Sequence, residues 1–67
     1  MSVARVTEII TRSEKGFDDA LQQGISRAQK TLQNVTGAWI QDQSVDIDNG
    51  KITAYKLVLK VTFVLKD

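Results

Sequence analysis

Residues 48–65 read Asp-Asn-Gly-Lys-Ile-Thr-Ala-Tyr-Lys-Leu-Val-Leu-Lys-Val-Thr-Phe-Val-Leu, and this stretch decides the fold. The pair Asn49-Gly50 favours the two-residue type I′ turn of a tight β-hairpin. Residues 51–65 then alternate between two faces, as the residues of a strand do. One face is almost wholly apolar and consists of Tyr55, Leu57, Leu59, Val61, Phe63 and Leu65. The pattern predicts a hairpin of strands 38–48 and 51–65 whose apolar face covers the core.

The hairpin turn also predicts the register of the two strands, because facing residues then have numbers that sum to 99. Ile40 is expected opposite Leu59, and Gln43 opposite Lys56. In the same register Asp42 would lie on the core face, where burial of a carboxylate is costly. We therefore predict a β-bulge or a strand bend near Asp42.

The second face of the predicted hairpin is too apolar for the free surface of so small a chain. Its lysines and glutamines are mixed with large apolar residues, which are Trp39, Val45, Ile47, Ile52, Val58 and Val64. We expect this face to be covered by another subunit.

Residues 13–35 carry apolar side chains at helical spacing: Phe17, Ala20, Leu21, Gly24, Ile25, Ala28, Leu32 and Val35. This stripe predicts an amphipathic helix of about five turns with Ser13 as its N-cap. Gly24 is expected to permit close approach of the helix to the sheet. Residues 3–10 are rich in β-branched side chains, which predicts a further strand. The fold class is therefore α+β, with a β-α-β-β order and a three-stranded antiparallel sheet.

Length and composition limit the classes of function. The 67 residues are expected to form one domain spanning 1–67, and a chain of this size buries only about 60% of its unfolded surface. Cysteine and histidine are absent, which removes disulfides, Cys/His zinc sites and imidazole catalysis. Oligomerisation and oxygen-ligated calcium or magnesium remain as sources of stability. A net charge of +1 and the lack of a long apolar run indicate a soluble, cytoplasmic protein without nucleic-acid or membrane partners.

The order strand–helix–strand–strand resembles the dodecin family over the whole chain. The resemblance rests on four segments, namely Thr11-Arg12-Ser13, Gly24-Ile25-Ser26-Arg27-Ala28, Thr31-Leu32-Gln33-Asn34 and the last strand from Leu59 to Leu65. It implies that the sheet partly wraps the helix and that twelve copies form a hollow shell of cubic symmetry. The protein itself would then be its own main partner.

Flavin-binding dodecins carry a tryptophan at the start of the second strand, in a Trp-x-Glu-Val pattern. Nineteen residues later they carry a glutamine after an aromatic residue. Tyr55-Lys56 matches the aromatic–glutamine pair, with lysine in place of glutamine. Counting back nineteen residues gives Gly37, and Trp39 stands where the family has glutamate. The chain therefore resembles the branch that lacks the flavin tryptophan, which includes calcium dodecins, and weak or lost binding of riboflavin or FMN is implied.

The candidate ligand-binding residues are thus Gly37, Trp39, Gln43 and Lys56. Trp39 is expected on the same face as Gly37, about 6–7 Å further along the strand. There its ring could stack on a planar ligand or pack in a subunit interface, where tryptophan is enriched. Lys56 could bind a phosphate or carboxylate, or it could be a solvated surface lysine.

The candidate metal ligands are Glu8, Asp46 and Asp48. The two aspartates lie at the hairpin tip, but the terminal bidentate glutamate of an EF-hand loop is missing. Turn chemistry explains them without a metal. An ion on a symmetry axis could instead be held by Glu8 or an aspartate from several subunits.

Three functions remain open at this point. The first is a dodecameric shell that binds or stores a small ligand or ions, and the second is a purely structural assembly. The third is a flavin-storage dodecin that uses Trp39 as a displaced stacking residue. An enzyme is disfavoured, because the sequence contains no Gly-rich phosphate loop and no nucleophile-elbow motif.

Overall fold

The computed structural model describes residues 2–66, and Met1 and Asp67 lie outside the described residues. The chain forms strand β1 (Val3–Ser13), helix α1 (Phe17–Thr31), strand β2 (Val35–Asp48) and strand β3 (Lys51–Leu65). The strands make one antiparallel sheet in the order β1-β3-β2, with β3 in the centre. The predicted fold class is confirmed, and β3 has the bounds that its alternation predicted.

Helix α1 packs against β1 and β3 and leaves β2 outside the main contact. Below the helix, β3 presents the fully buried side chains of Leu57, Leu59 and Val61, and the helix contributes Ala20 and Ala28. Small residues on the helix and large ones on the strand let the two elements pack closely.

Gly24 is the point of closest approach between α1 and the sheet. A Cβ atom built there would lie 2.9 Å from Cδ1 of Leu59 and 3.2 Å from Cγ2 of Thr11. Thr11 is held in place because its hydroxyl donates a 2.9 Å hydrogen bond to the carbonyl of Ala20. The predicted reason for a glycine at this position is confirmed.

The prediction of Ser13 as the helix N-cap is wrong. Ser13 is the last residue of β1, and Gly16 precedes the helix without a side-chain cap. The Ser13 hydroxyl accepts hydrogen bonds from the backbone N–H of Lys15 (2.9 Å) and Gly16 (3.4 Å) and donates one to Asp19 (2.6 Å). It therefore closes the turn between β1 and α1. This hydrogen bond from Ser13 is the main reason that the pKa of Asp19 is lowered; desolvation opposes the shift, and smaller contributions from Gln23 and Lys15 add to it.

The helix is shorter than predicted and both outer strands are longer. Leu32 already has extended backbone angles (φ −105°, ψ 136°), and Asn34 has a left-handed φ of 63°. These two residues end the helix at Thr31, so the helix has 15 residues, which is about four turns. Val35 already pairs with Phe63, so β2 begins three residues before the predicted start at residue 38.

The hairpin turn is confirmed, because Asn49 (φ 52°) and Gly50 (φ 75°) both have the left-handed backbone of a type I′ turn. Away from the turn, Ile40 faces Leu59 as predicted. Between these points the register shifts twice, once between Ile40 and Asp42 and once between Asp46 and Ile47.

The shift between Ile40 and Asp42 confirms the predicted bulge near Asp42. Counted from the hairpin turn, the shift between Asp46 and Ile47 comes first, and it makes the predicted pairing of Gln43 with Lys56 wrong. Gln43 faces Leu57, and Ser44 faces Lys56. Since facing residues share a side of the sheet, the stretch of β2 between the two shifts has Gln43 on the helix side and Asp42 on the opposite side. The carboxylate of Asp42 is thereby kept out of the core.

The shift between Asp46 and Ile47 changes the predicted side of three apolar residues. Val45 faces Tyr55, which belongs to the helix side of β3. Between Asp46 and Ile47 the extra residue is Thr53 of β3, so the side chains of β2 keep their alternation there. Ile47 therefore lies on the helix side, and its partner Ile52 lies on the same side. The prediction that all three lie on the second face is wrong.

Strands β2 and β3 continue beyond the end of β1. Strand β1 pairs with β3 only from Tyr55 to Leu65, so residues 46–54 contain two strands and no third. We call residues 46–54 the hairpin extension. It contributes to an elongated molecule of 51 × 19 × 14 Å.

Candidate functional site on the outer sheet face

The side of the sheet that faces away from α1 carries an exposed apolar surface, which we call the outer face. Its large exposed side chains are those of Val6 and Ile10 from β1 and Trp39 from β2. Ile10 is 66% exposed and Trp39 is 51% exposed. Of the six apolar residues predicted for this face, Trp39, Val58 and Val64 lie on it, while its burial by another subunit stays a prediction.

Trp39 lies in a row of side chains that crosses all three strands. It faces Lys60 of β3, and Lys60 faces Glu8 of β1. The Lys60 ammonium is 3.1 Å from Oε1 of Glu8, and both side chains are partly exposed. A planar ligand stacked on the indole would therefore meet an ammonium group that is already paired with a carboxylate. This pairing leaves the Lys60 ammonium less available to bind an anionic ligand.

Gly37 shares the outer face with Trp39, as predicted, since it faces Thr62 two residues further along β3. Among residues 2–66, no atom outside the neighbouring residues would lie within 4 Å of a Cβ atom at Gly37. The glycine therefore leaves an open space at the position that the resemblance predicts for the stacking ring of flavin-binding dodecins. The space could accept a larger side chain without moving the backbone.

Lys56 also lies on the outer face, between Arg12 of β1 and Ser44 of β2. Among residues 2–66 no carboxylate lies within 4.0 Å of its ammonium. Lys56 is six residues along β3 from Thr62, the partner of Gly37, and this separation corresponds to about 20 Å. One chain thus does not bring Gly37 and Lys56 together, and Gln43 lies on the other side of the sheet. A site that used Gly37 and Lys56 on one small ligand would need two subunits.

The three candidate metal ligands are also kept apart. Glu8 is paired with Lys60, and one carboxylate oxygen of Asp46 accepts from Nε (3.0 Å) and Nη2 (2.5 Å) of Arg12. Asp48 is exposed beside the hairpin turn. Within the described chain no group of three or more acidic residues is placed to hold a metal ion. A single subunit therefore does not fit calcium or magnesium at these residues.

Sequence reasoning missed the two ion pairs that organise this face. The bridge from Arg12 to Asp46 spans β3 at the small residue Ala54, and the bridge from Lys60 to Glu8 joins β3 to β1. Both depend on the register between β1 and β3. No turn connects these two strands directly, so the sequence held no local signal for their register.

Comparison with known proteins agrees with this architecture. The protein-family model for dodecin matches residues 3–66. A dodecin of Thermus thermophilus is 29% identical over 65 residues, which is 97% of this chain and 94% of the relative. The calcium dodecin of Mycobacterium tuberculosis is 31% identical over 67 residues, covering 98% of this chain and 93% of the relative.

Solved structures give the same result. The dodecin from Streptomyces davaonensis superposes with a TM-score of 0.92 at 32% identity, covering 98% of this chain and 97% of that chain. The calcium dodecin from M. tuberculosis, described as calcium chelating with a calcium-binding site, superposes with a TM-score of 0.82 at 29% identity, covering 97% and 93%. The chain belongs to the dodecin family. Among residues 2–66, no helix is long and apolar enough to span a bilayer.

Proposed function

We propose that this protein is a non-enzymatic, cytoplasmic dodecin that forms a hollow shell of twelve subunits and binds or stores a small ligand or ions. The observation that carries the proposal is the exposed outer face around Trp39, which an isolated chain leaves uncovered. Family membership supplies the expected number of subunits.

The size and shape of the isolated chain support assembly. Its accessible surface is 5089 Å², whereas a compact monomer of 7.5 kDa is expected to expose about 4,250 Å². Its radius of gyration is 13.9 Å, compared with about 11 Å for a compact domain of this length. The chain has no cysteine, so disulfides cannot compensate for this excess of exposed surface. Association with further copies is the means that remains for burying it.

The ligand is the second part of the proposal. Gly37 offers no stacking ring, and Lys56 replaces a glutamine by a cation that can only donate hydrogen bonds. Flavin is therefore expected to bind weakly or not at all. A flavin-storage dodecin that stacks the ligand on Trp39 is the alternative, and the half-exposed indole is the observation in its favour.

An ion is the other candidate. The name of the calcium dodecin relative raises calcium as a ligand, but the carboxylates of Glu8 and Asp46 are engaged by cations within one subunit. An ion site would therefore have to form where carboxylates of several subunits meet, and Asp48 is the free candidate. A shell that binds neither flavin nor ions would be purely structural.

Gel filtration with light scattering tests the assembly, and titration of the purified assembly with riboflavin, FMN and calcium tests the ligand. The proposal predicts a particle of twelve 7.5 kDa chains, about 90 kDa, at every concentration tested. A folded monomer that does not change with concentration would contradict it. Sub-micromolar flavin affinity that is lost in Trp39→Ala would replace the leading function with the alternative.

A further inference from the structure

The hairpin extension, residues 46–54, projects from the molecule with little support of its own. Two strands without a third are marginally stable in water. The extension nevertheless presents two directly opposed β-branched side chains to solvent, since Ile47 is 65% exposed and Ile52 is 52% exposed. These two side chains form an apolar knob at the end of the chain.

A groove of about 710 Å³ lies elsewhere on the same subunit, between α1 and the free edge of β1. Apolar and small residues line it, including Ile9, Gly24, Ala28 and Leu32. Strand β1 pairs with β3 on one side only, so its other edge offers unpaired backbone groups beside the groove. The groove thus provides an apolar floor and a strand edge.

Charges on the knob and on the groove are complementary. Arg27 lines the groove, and no carboxylate of the described chain lies within 4.0 Å of its guanidinium. Asp48 lies beside Ile47 in the extension, and it has no cation within 4.0 Å among residues 2–66. The other arginine of the groove, Arg12, is already bound to Asp46. Lys51 faces Asp48 across the hairpin but forms no ion pair with it, so Arg27 and Asp48 are both available to pair across an interface.

We propose that the hairpin extension of one copy docks into the α1–β1 groove of the next copy, with Asp48 paired to Arg27. The contact cannot form within one chain, because the extension continues the sheet away from the groove, beyond the last β1 pair at Ser13 and Tyr55. The contact is heterologous, with a knob on one subunit and a groove on its neighbour, and such contacts form a ring when the rotation between copies closes. The inference rests on the assembly proposed above and assigns one of its interfaces.

Cysteine cross-linking tests the docking directly, because the natural chain has no cysteine. Ile52→Cys is combined with Thr31→Cys or with Gln23→Cys, which lie toward opposite ends of the groove lining. If the two cysteines of a double variant meet across the proposed interface, oxidation is expected to give covalent oligomers larger than a dimer, because each chain can link to two neighbours. A mixture of the two single variants, with one cysteine per chain, is expected to give dimers only. The matched control combines Ile52→Cys with Val6→Cys, which lies on the outer face and outside the groove lining, and is expected to give no such ladder.

Charge exchange gives a second readout that does not depend on disulfide geometry. Arg27→Asp or Asp48→Arg alone is expected to weaken assembly at least tenfold, and the double variant is expected to restore it. The wild-type protein is measured beside each variant. If the wild type assembles but neither cysteine pair forms a ladder and neither single reversal weakens assembly, the docking is wrong and the shell stands. If the wild type stays monomeric, the docking and the shell are both wrong.

Discussion

Truncation of Leu59 to alanine tests the packing of helix on sheet. Leu59 is fully buried, lies between Ile9 and Ile40 in the sheet, and touches the helix at Gly24. Leucine-to-alanine changes in cores cost about 2–5 kcal/mol, and the cost increases with the cavity that remains. Gly24 has no side chain that could move into the space, so we expect about 4 kcal/mol.

Gly24→Ala tests the same contact from the helix side. The added methyl group would lie 2.9 Å from Cδ1 of Leu59 and 3.3 Å from Cβ of Thr11, which its hydrogen bond to Ala20 holds in place. Overpacking costs about 1–3 kcal/mol, whereas alanine gains about 1 kcal/mol of helix propensity over glycine. The net effect in the wild-type background is a loss of roughly 1 kcal/mol.

The two changes should not be additive. In the Leu59→Ala background the obstructing Cδ1 atom is gone, so Gly24→Ala is expected to stabilise by up to about 1 kcal/mol. Urea unfolding at one fixed protein concentration measures all four proteins, because assembly makes stability depend on concentration. Leu65→Ala, at a leucine that is 43% exposed, is the control and should cost much less. Equal effects of Gly24→Ala in both backgrounds would refute the contact.

The remaining predictions concern flavin and acid. Fluorescence titration should show weak flavin binding to the wild type, because a stacked aromatic contact is worth about 0.5–1.5 kcal/mol beyond its buried area and Gly37 supplies none. The double variant Gly37→Trp with Lys56→Gln should bind flavin more tightly by one or more powers of ten, and no gain would show that the space at Gly37 is not a ligand position. Quenching by the wild type that disappears in Trp39→Ala would instead identify Trp39 as the stacking ring. The lowered pKa of Asp19 stabilises the folded state above the ordinary value of 3.8, and this stabilisation is lost as the pH falls through the folded-state pKa. In Ser13→Ala, an NMR titration should show the Asp19 pKa moving upward toward that ordinary value, and an unchanged pKa would rule out the Ser13 hydroxyl as the main cause.

Local signals in the sequence predicted most of the fold. The Asn49-Gly50 turn and the alternation in β3 predicted the hairpin, because turn geometry fixes both strand direction and register. Helical spacing of apolar residues predicted α1, and Gly24 marked its closest approach to the sheet. The bulge near Asp42 was predicted from the cost of burying a carboxylate.

The errors arise where non-local contacts decide the structure. The register shift between Asp46 and Ile47 was not predicted, and because it moves the pairing by one residue, Gln43 lies on the other side of the sheet. Ser13 has the chemistry of an N-cap, but its hydroxyl binds the turn after β1 and Asp19. The candidate site depended on this register and on contacts between subunits. A single chain therefore places Gly37 and Lys56 far apart, and one sequence could not show which subunits bring them together.

Native mass spectrometry of the purified protein tests the central claim most directly, since it reports the number of subunits and any retained ligand in one spectrum. The account predicts a dominant particle of twelve 7.5 kDa chains, about 90 kDa, without the added mass of bound flavin. A dominant monomer near 7.5 kDa under conditions that preserve folding would contradict the shell. A dodecamer that carries stoichiometric flavin would keep the shell and contradict the proposed loss of flavin binding.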